Sequence, residues 1–131
     1  MPTPLHELKA EFFKSLGHPL RIRVLELLSD RERSVGEMLP ELGVEVSNLS
    51  QQLAVLRRSG LVTTRRRAST VYYSLASPMI AELLAVARRI LATMLTDQIE
   101  LLSDLHAETP ADEVLTSSTP TGRRAARARA G

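Results

Sequence analysis

Apolar residues recur at helical spacing through the first quarter of the chain. They predict a first helix that begins at Thr3–Pro4, where a hydroxyl cap and a proline favour a helix start, and ends at Gly17. Its apolar stripe consists of Leu5, Leu8, Phe12 and Leu16. A second helix is predicted over 19–29, opened by Pro19. Each of the first two helices is therefore predicted to have one apolar face.

A capping box marks the start of a third helix. Ser34 and Glu37 have the spacing at which each side chain satisfies a free amide of the first turn. Gly43 suits the left-handed position at the helix end. Pro40 falls inside this segment and removes one hydrogen bond at a cost of about 3 kcal/mol. The pattern therefore predicts a short, bent helix.

The period of the pattern then changes from helix to strand. A fourth helix is predicted over 46–58, ending at Gly60, with Leu49, Leu53 and Leu56 toward the core. After it the apolar positions alternate, which predicts two short strands over 61–66 and 70–75 around a turn at 67–69. The sequence therefore predicts a helical domain with a small β-hairpin.

A long helix and a polar tail complete the pattern. Ser77–Pro78 opens the helix, which is predicted to reach about His106 and carries a broad apolar band. Beyond residue 107 the composition becomes Glu, Thr, Pro, Ser, Ala and Arg, typical of a disordered segment. The predicted organisation is one domain over 1–107 and an Arg-containing tail over 108–131.

Composition excludes several classes of protein. The 131 residues include no Cys, which excludes disulfide scaffolds, thiolate metal sites and Cys nucleophiles. No segment has the pattern of a targeting signal or a membrane span, so we expect a cytoplasmic protein. No glycine-rich phosphate loop or nucleophile–base pair is evident, so we expect no enzyme and no cofactor.

Charge is distributed unevenly along a chain whose net charge is only +2. Between Val46 and Ala81 there is no Asp or Glu. The same window contains Arg57, Arg58, Arg65, Arg66 and Arg67. Such a basic segment is typical of a surface that faces phosphates, although a solvated basic face without a partner gives the same pattern.

The third and fourth helices, joined by a turn at Gly43, predict a helix-turn-helix, and the basic hairpin over 61–75 predicts a wing. The first two turns of the fourth helix are crowded with small polar side chains: Ser47, Asn48, Ser50, Gln51 and Gln52. A major groove about 12 Å wide admits one helix, and amides and hydroxyls near its N-terminus can read base edges. Arg57 and Arg58 are expected to meet the DNA backbone, and the wing arginines to reach the backbone or the adjacent minor groove.

The sequence resembles the ArsR/SmtB winged helix-turn-helix regulators. The resemblance spans about residues 5–106 and is carried by residues 16–28, Ser34–Val35–Gly36–Glu37, 49–53, 56–62 and Val71–Tyr72–Tyr73. It implies a homodimeric repressor that binds a palindromic operator in double-stranded DNA and is released by an inducer. It also implies recognition by the fourth helix and a wing at Arg65, Arg66 and Arg67. Ala68 stands where the family usually has glycine, so we expect a looser hairpin turn.

The first and last helices are expected to form the dimer interface. The apolar band of the last helix is broader than one small domain can cover, and such a patch usually marks an interface. The candidate interface residues are Leu5, Leu8, Phe12, Leu83, Val86, Ile90 and Met94. The alternative is that the band packs entirely within its own domain.

A metal site is not expected. Asp104 and His106 mimic a fragment of the ligand pattern on the last helix of the family's metal sensors, and His6 could join them only across a dimer. His18 precedes Pro19 and is expected to cap a helix. The sequence does not identify an inducer, and it does not distinguish a repressor from an activator. The alternative function is a DNA-coating or protein-docking winged-helix module without sequence preference.

Overall fold

A computed structural model describes residues 2–108 of the protein. The elements in chain order are α1 (Leu5–Leu16), α2 (Pro19–Asp30), β1 (Arg33–Ser34), α3 (Val35–Leu42), α4 (Val46–Arg58), β2 (Val62–Arg67), β3 (Thr70–Leu75) and α5 (Pro78–Glu108). The described chain forms two compact units that meet within α5, one up to Ala87 and one from Arg88 onward. The predicted mainly helical fold with a small hairpin is confirmed. The tail predicted beyond α5 lies outside the described residues.

The helix starts follow the capping residues, with one correction. α1 begins at Leu5, and its N-cap is Pro4, whose carbonyl accepts from the N–H of Leu8 at 3.1 Å. The predicted cap by Thr3 is therefore wrong. Pro4 has an extended backbone and itself occupies the N-cap position, so Thr3 lies one residue outside the cap. The expected cap by His18 is confirmed, because its Nδ1 accepts from the N–H of Leu20 at 3.1 Å.

The capping box of α3 is present as predicted. The Ser34 hydroxyl accepts from the N–H of Glu37 at 3.2 Å, and the Glu37 carboxylate accepts from the N–H of Ser34 at 2.9 Å. Gly43 ends the helix in the left-handed region, with φ of 64°. The helix has eight residues and continues through Pro40, so its predicted shortness is confirmed.

The wing is part of a three-stranded antiparallel sheet in the order β1–β3–β2. β1 pairs with β3, with Arg33 opposite Tyr73. Because β1 has only two residues, it is too short to show any alternation in the sequence. In the hairpin, Arg67 pairs directly with Thr70, which leaves a turn of only two residues. The expected looser turn is wrong: Ala68 takes φ of 56° and so adopts the left-handed conformation itself.

The core of the first unit lies among α2, α3, α4 and the base of the wing. Its buried side chains are almost all aliphatic: Leu16, Leu20, Val24, Leu25, Leu28, Met38, Leu42, Leu49, Leu53, Leu56, Leu61, Val62 and Ile80. Arg33 is buried beside them, and donates to the Leu27 carbonyl and to the carboxylates of Asp30 and Glu41. These bonds join the end of α2 to α3. Among the helices of residues 2–108, none has the length and apolarity that a membrane span requires.

Candidate DNA-binding surface

The inward face of α4 determines which of its side chains reach solvent. Leu49, Leu53 and Leu56 are almost completely buried, at 0–1% exposure. Residues three or four apart share a helix face, so the intervening polar residues lie on the outer face. Ser47, Asn48, Ser50 and Gln51 are exposed, while Gln52 is half-buried. Four of the five predicted reading residues are therefore accessible on the first two turns.

Gln52 differs from its neighbours because it is engaged within the protein. Its Oε1 accepts from Arg21 Nη1 at 2.8 Å, and its Nε2 donates to Asn48 Oδ1 at 3.2 Å. Gln51 has no such partner among the described residues. The structure therefore presents Gln51 to solvent and ties Gln52 to α2, a distinction that the sequence does not reveal.

Two arginines occupy the last turn of α4. Arg57 and Arg58 are exposed, where their charges complement the partial negative charge of the helix C-terminus. With Ser50, Ala54 and Tyr73 they border an open cleft of about 410 Å³ between α4 and the wing. The basic side chains at the end of α4 therefore lie next to the sheet.

The wing arginines follow one another along β2. Arg65, Arg66 and Arg67 all have exposed side chains. Arg65 is held by Glu32: its Nε donates to Oε1 at 2.8 Å, and its Nη2 forms an ion pair with Oε2. Its guanidinium also lies 5.3 Å from the ring centroid of Tyr72, within range of a cation–π contact.

The pair of Arg65 and Glu32 changes the acidity of both groups. The hydrogen bond from Arg65 lowers the pKa of Glu32 below its ordinary value, and the same bond raises the pKa of Arg65. Part of the positive charge of Arg65 is therefore balanced within the protein. In the described part of the chain, Arg66 and Arg67 form no ion pair with a carboxylate, although the charge of Arg67 also helps to lower the pKa of Glu32.

The predicted interface residues are largely exposed. On α1, Leu5, Leu8 and Phe12 have exposed side chains, and on α5 so do Val86, Ile90 and Met94. Leu83 is different because it is half-buried and packs against the core of its own unit. Phe12 and Leu83 also line an apolar cavity of about 460 Å³ near the start of α5.

The two candidate metal ligands of the last helix are exposed on its final turns. Asp104 and His106 lie on α5. Within residues 2–108, no group of three or more His, Asp or Glu side chains is positioned to hold a metal ion. A transition-metal site needs three or four ligands of suitable geometry.

Comparisons with known proteins agree with this geometry. A family model described as a helix-turn-helix domain matches residues 16–65. Rv0081 of Mycobacterium tuberculosis, described as an uncharacterized HTH-type transcriptional regulator, is 61% identical over 105 residues, 79% of this chain and 92% of that protein. Its crystal structure covers 75% of this chain and 99% of its own, with a TM-score of 0.69.

Two more distant relatives have the same domain. A biofilm growth-associated repressor of Xylella fastidiosa is 39% identical over 84 residues, 64% of this chain and 74% of that protein. The solution structure of Mb0332 from Mycobacterium bovis, described as a homodimeric winged helix-turn-helix DNA-binding domain of a possible ArsR-family regulator, is 30% identical. It covers 70% of this chain and 84% of its own, with a TM-score of 0.64. Fold, motifs and relatives together show that this chain belongs to the winged helix-turn-helix transcriptional regulators of the ArsR/SmtB type.

Proposed function

We propose that the protein is a homodimeric repressor that binds a palindromic operator, with α4 in the major groove and the β2–β3 hairpin as a wing on the backbone. The observation that carries the proposal is the division of α4 into two faces. Its leucines are buried, and this leaves the amide and hydroxyl side chains of its first two turns in solvent. Helices of this kind read base edges from their N-terminal turns.

Each group of polar residues has a distinct role in the proposed complex. Gln51 is the strongest candidate for direct base reading, because its amide is exposed and can pair with adenine through two hydrogen bonds. Ser47 and Ser50 can donate to or accept from bases or phosphates. Arg57 and Arg58 meet phosphates at the end of α4, and Arg66 and Arg67 meet them on the wing. These contacts position the protein without specifying sequence.

Dimerisation through α1 and α5 would cover the apolar surface that the single chain leaves in solvent. Leu8 and Ile90 are 52% and 53% exposed, and exposed apolar patches of this kind are rare on proteins that remain monomeric. Mb0332 is described as homodimeric. A twofold dimer presents two reading helices about one DNA turn apart, which a palindromic site matches. Repression is favoured because the Xylella fastidiosa relative is named a repressor. The protein would act in the cytoplasm, without enzymatic activity.

The proposal is tested by binding of the full chain to the DNA upstream of its own gene and to a scrambled duplex of the same length. We expect about 10³-fold or greater preference for the operator near physiological salt. A reporter gene placed behind the same DNA should be expressed less when the protein is present. Equal binding to both duplexes with a steep dependence on salt would instead identify a DNA-coating module.

A further inference from the structure

A chain of hydrogen bonds runs from the end of α1, through α2, to the outer face of α4. Arg21 on α2 donates from Nε to the carbonyl of Ser15 at 2.8 Å and from Nη1 to Gln52 Oε1 at 2.8 Å. Gln52 Nε2 then donates to Asn48 Oδ1 at 3.2 Å. Arg21 and Gln52 are both half-buried, whereas Asn48, at the end of the chain, is exposed.

Arg21 determines the direction of every hydrogen bond in this series. A guanidinium has five donors and no acceptor, so the group that Gln52 turns toward Arg21 must be its oxygen. The Gln52 amide nitrogen then points to Asn48 and requires the oxygen of that side chain as its acceptor. Asn48 is left with both N–H donors of its amide for a partner outside the protein.

We propose that Arg21 is a positioning residue that gives Asn48 the character of a hydrogen-bond donor and thereby determines the base that Asn48 prefers. This inference depends on the proposed function, since it assigns a base preference within the α4–DNA contact. A donor matches the acceptors of the major groove, which are N7 and O6 of guanine, N7 of adenine and O4 of thymine. Guanine and thymine present only acceptors there, whereas adenine presents an amino donor beside its N7. A donor does not match the amino group that cytosine presents there. Asn48 therefore favours guanine or thymine at its position in each half-site.

Arg21 is well suited to hold this orientation. The Ser15 carbonyl lies in the last turn of α1, where backbone carbonyls have no partner within the helix, so the guanidinium satisfies one of them while it contacts Gln52. The planar guanidinium donates in two fixed directions at once. A lysine has one rotatable ammonium on a flexible stem, so Arg21→Lys keeps the charge without this geometry.

The inference is tested by selecting preferred sites from random duplexes with the full-length protein and its variants. The wild type should enrich guanine or thymine at one position in each half-site. Arg21→Met and Arg21→Lys should reduce that preference about tenfold at that position and leave the other positions unchanged. Arg31→Met serves as a control, because it removes an exposed arginine just after α2 that does not contact α4.

Gln52→Glu gives the sharpest result, because it retains the partner of Arg21 but removes the donor to Asn48. A carboxylate beside Asn48 accepts only, so the Asn48 amide should reverse and prefer the amino groups of adenine or cytosine. Ala54→Glu, which adds the same charge elsewhere on α4, should lower affinity without changing the preferred base. This variant pair tests the inference even if Arg21→Met does not fold.

The outcomes distinguish this inference from the proposed function. A wild type that selects no sequence would overturn both. A wild type with clear preferences, together with Arg21→Met and Gln52→Glu variants that select the same bases, would overturn the role of Arg21 alone. A third outcome is that both Arg21→Lys and Arg21→Met lose affinity for all duplexes alike, and that only Arg21→Met shows a smaller salt dependence. That result would identify Arg21 as a phosphate contact and would also overturn its role in orienting Asn48.

Discussion

The turn of the wing provides a direct test of how local strain contributes to stability. Ala68 adopts φ of 56°, a conformation in which its Cβ crowds the backbone, whereas glycine has no Cβ. The substitution Ala68→Gly therefore removes strain from the folded state. The hairpin register on both sides, from Arg67–Thr70 outward, requires no change.

The expected gain follows from two opposing terms. The left-handed conformation costs a residue with a side chain about 1–2 kcal/mol. Glycine also increases the freedom of the unfolded chain, which costs about 0.4–1 kcal/mol. We therefore expect a net stabilisation of about 0.5–1 kcal/mol, or a rise in Tm of about 2–6 °C for a domain of this size.

Urea unfolding followed by circular dichroism, at a fixed protein concentration, measures this gain. Ser69→Gly is the matched control, because Ser69 lies in the same turn but does not have a positive φ. It should lose about 0.4–1 kcal/mol, since only the unfolded chain changes. An Ala68→Gly variant no more stable than the wild type, or a Ser69→Gly variant stabilised equally, would refute the assignment of strain to Ala68.

Three further predictions concern the core, the wing charges and pH. Leu53→Ala should lower the free energy of unfolding by about 2–5 kcal/mol because Leu53 is 1% exposed; a loss below about 1 kcal/mol in urea unfolding would contradict its place in the core. Arg66→Ala should weaken binding to operator and scrambled DNA alike and reduce the slope of log affinity against log salt by about 0.9 for each phosphate that Arg66 neutralises. A selective loss on the operator would instead make Arg66 a base reader. The pKa of Glu32 is lowered by Arg65, so the stability that this pair contributes is present above the ordinary pKa of 4.5 and lost as pH falls through the lowered value. The difference in urea midpoint between wild type and Glu32→Gln should therefore decrease as pH falls below 4.5, and a difference that does not change with pH would contradict the pairing.

Local signals in the sequence determine much of this fold. The bounds of α4, the capping box of Ser34 and Glu37, and the end of α3 at Gly43 all follow from residues close together in the chain. Hydrophobic spacing also identifies the buried leucines of α4. These features could be predicted because periodicity, caps and turns depend on neighbouring residues.

The contacts that the sequence does not reveal join residues distant in the chain. Arg21 and Gln52 are 31 positions apart, and Glu32 and Arg65 are 33 apart. β1 has only two residues, and Arg33 is a buried charge with no local pattern to mark it. The sequence identifies the polar residues at the start of α4 as one set. The structure divides them, because Arg21 engages Gln52 and leaves Gln51 in solvent.

The central claim is that exposed amides of α4 read the bases of an operator. Fluorescence anisotropy near 0.15 M salt, on operator and scrambled duplexes in parallel, compares the wild type with Gln51→Ala. We predict that the variant loses about 5- to 150-fold in its preference for the operator, equivalent to about 1–3 kcal/mol, while its binding to the scrambled duplex is unchanged. A variant that discriminates as well as the wild type would contradict the claim that Gln51 reads bases from α4.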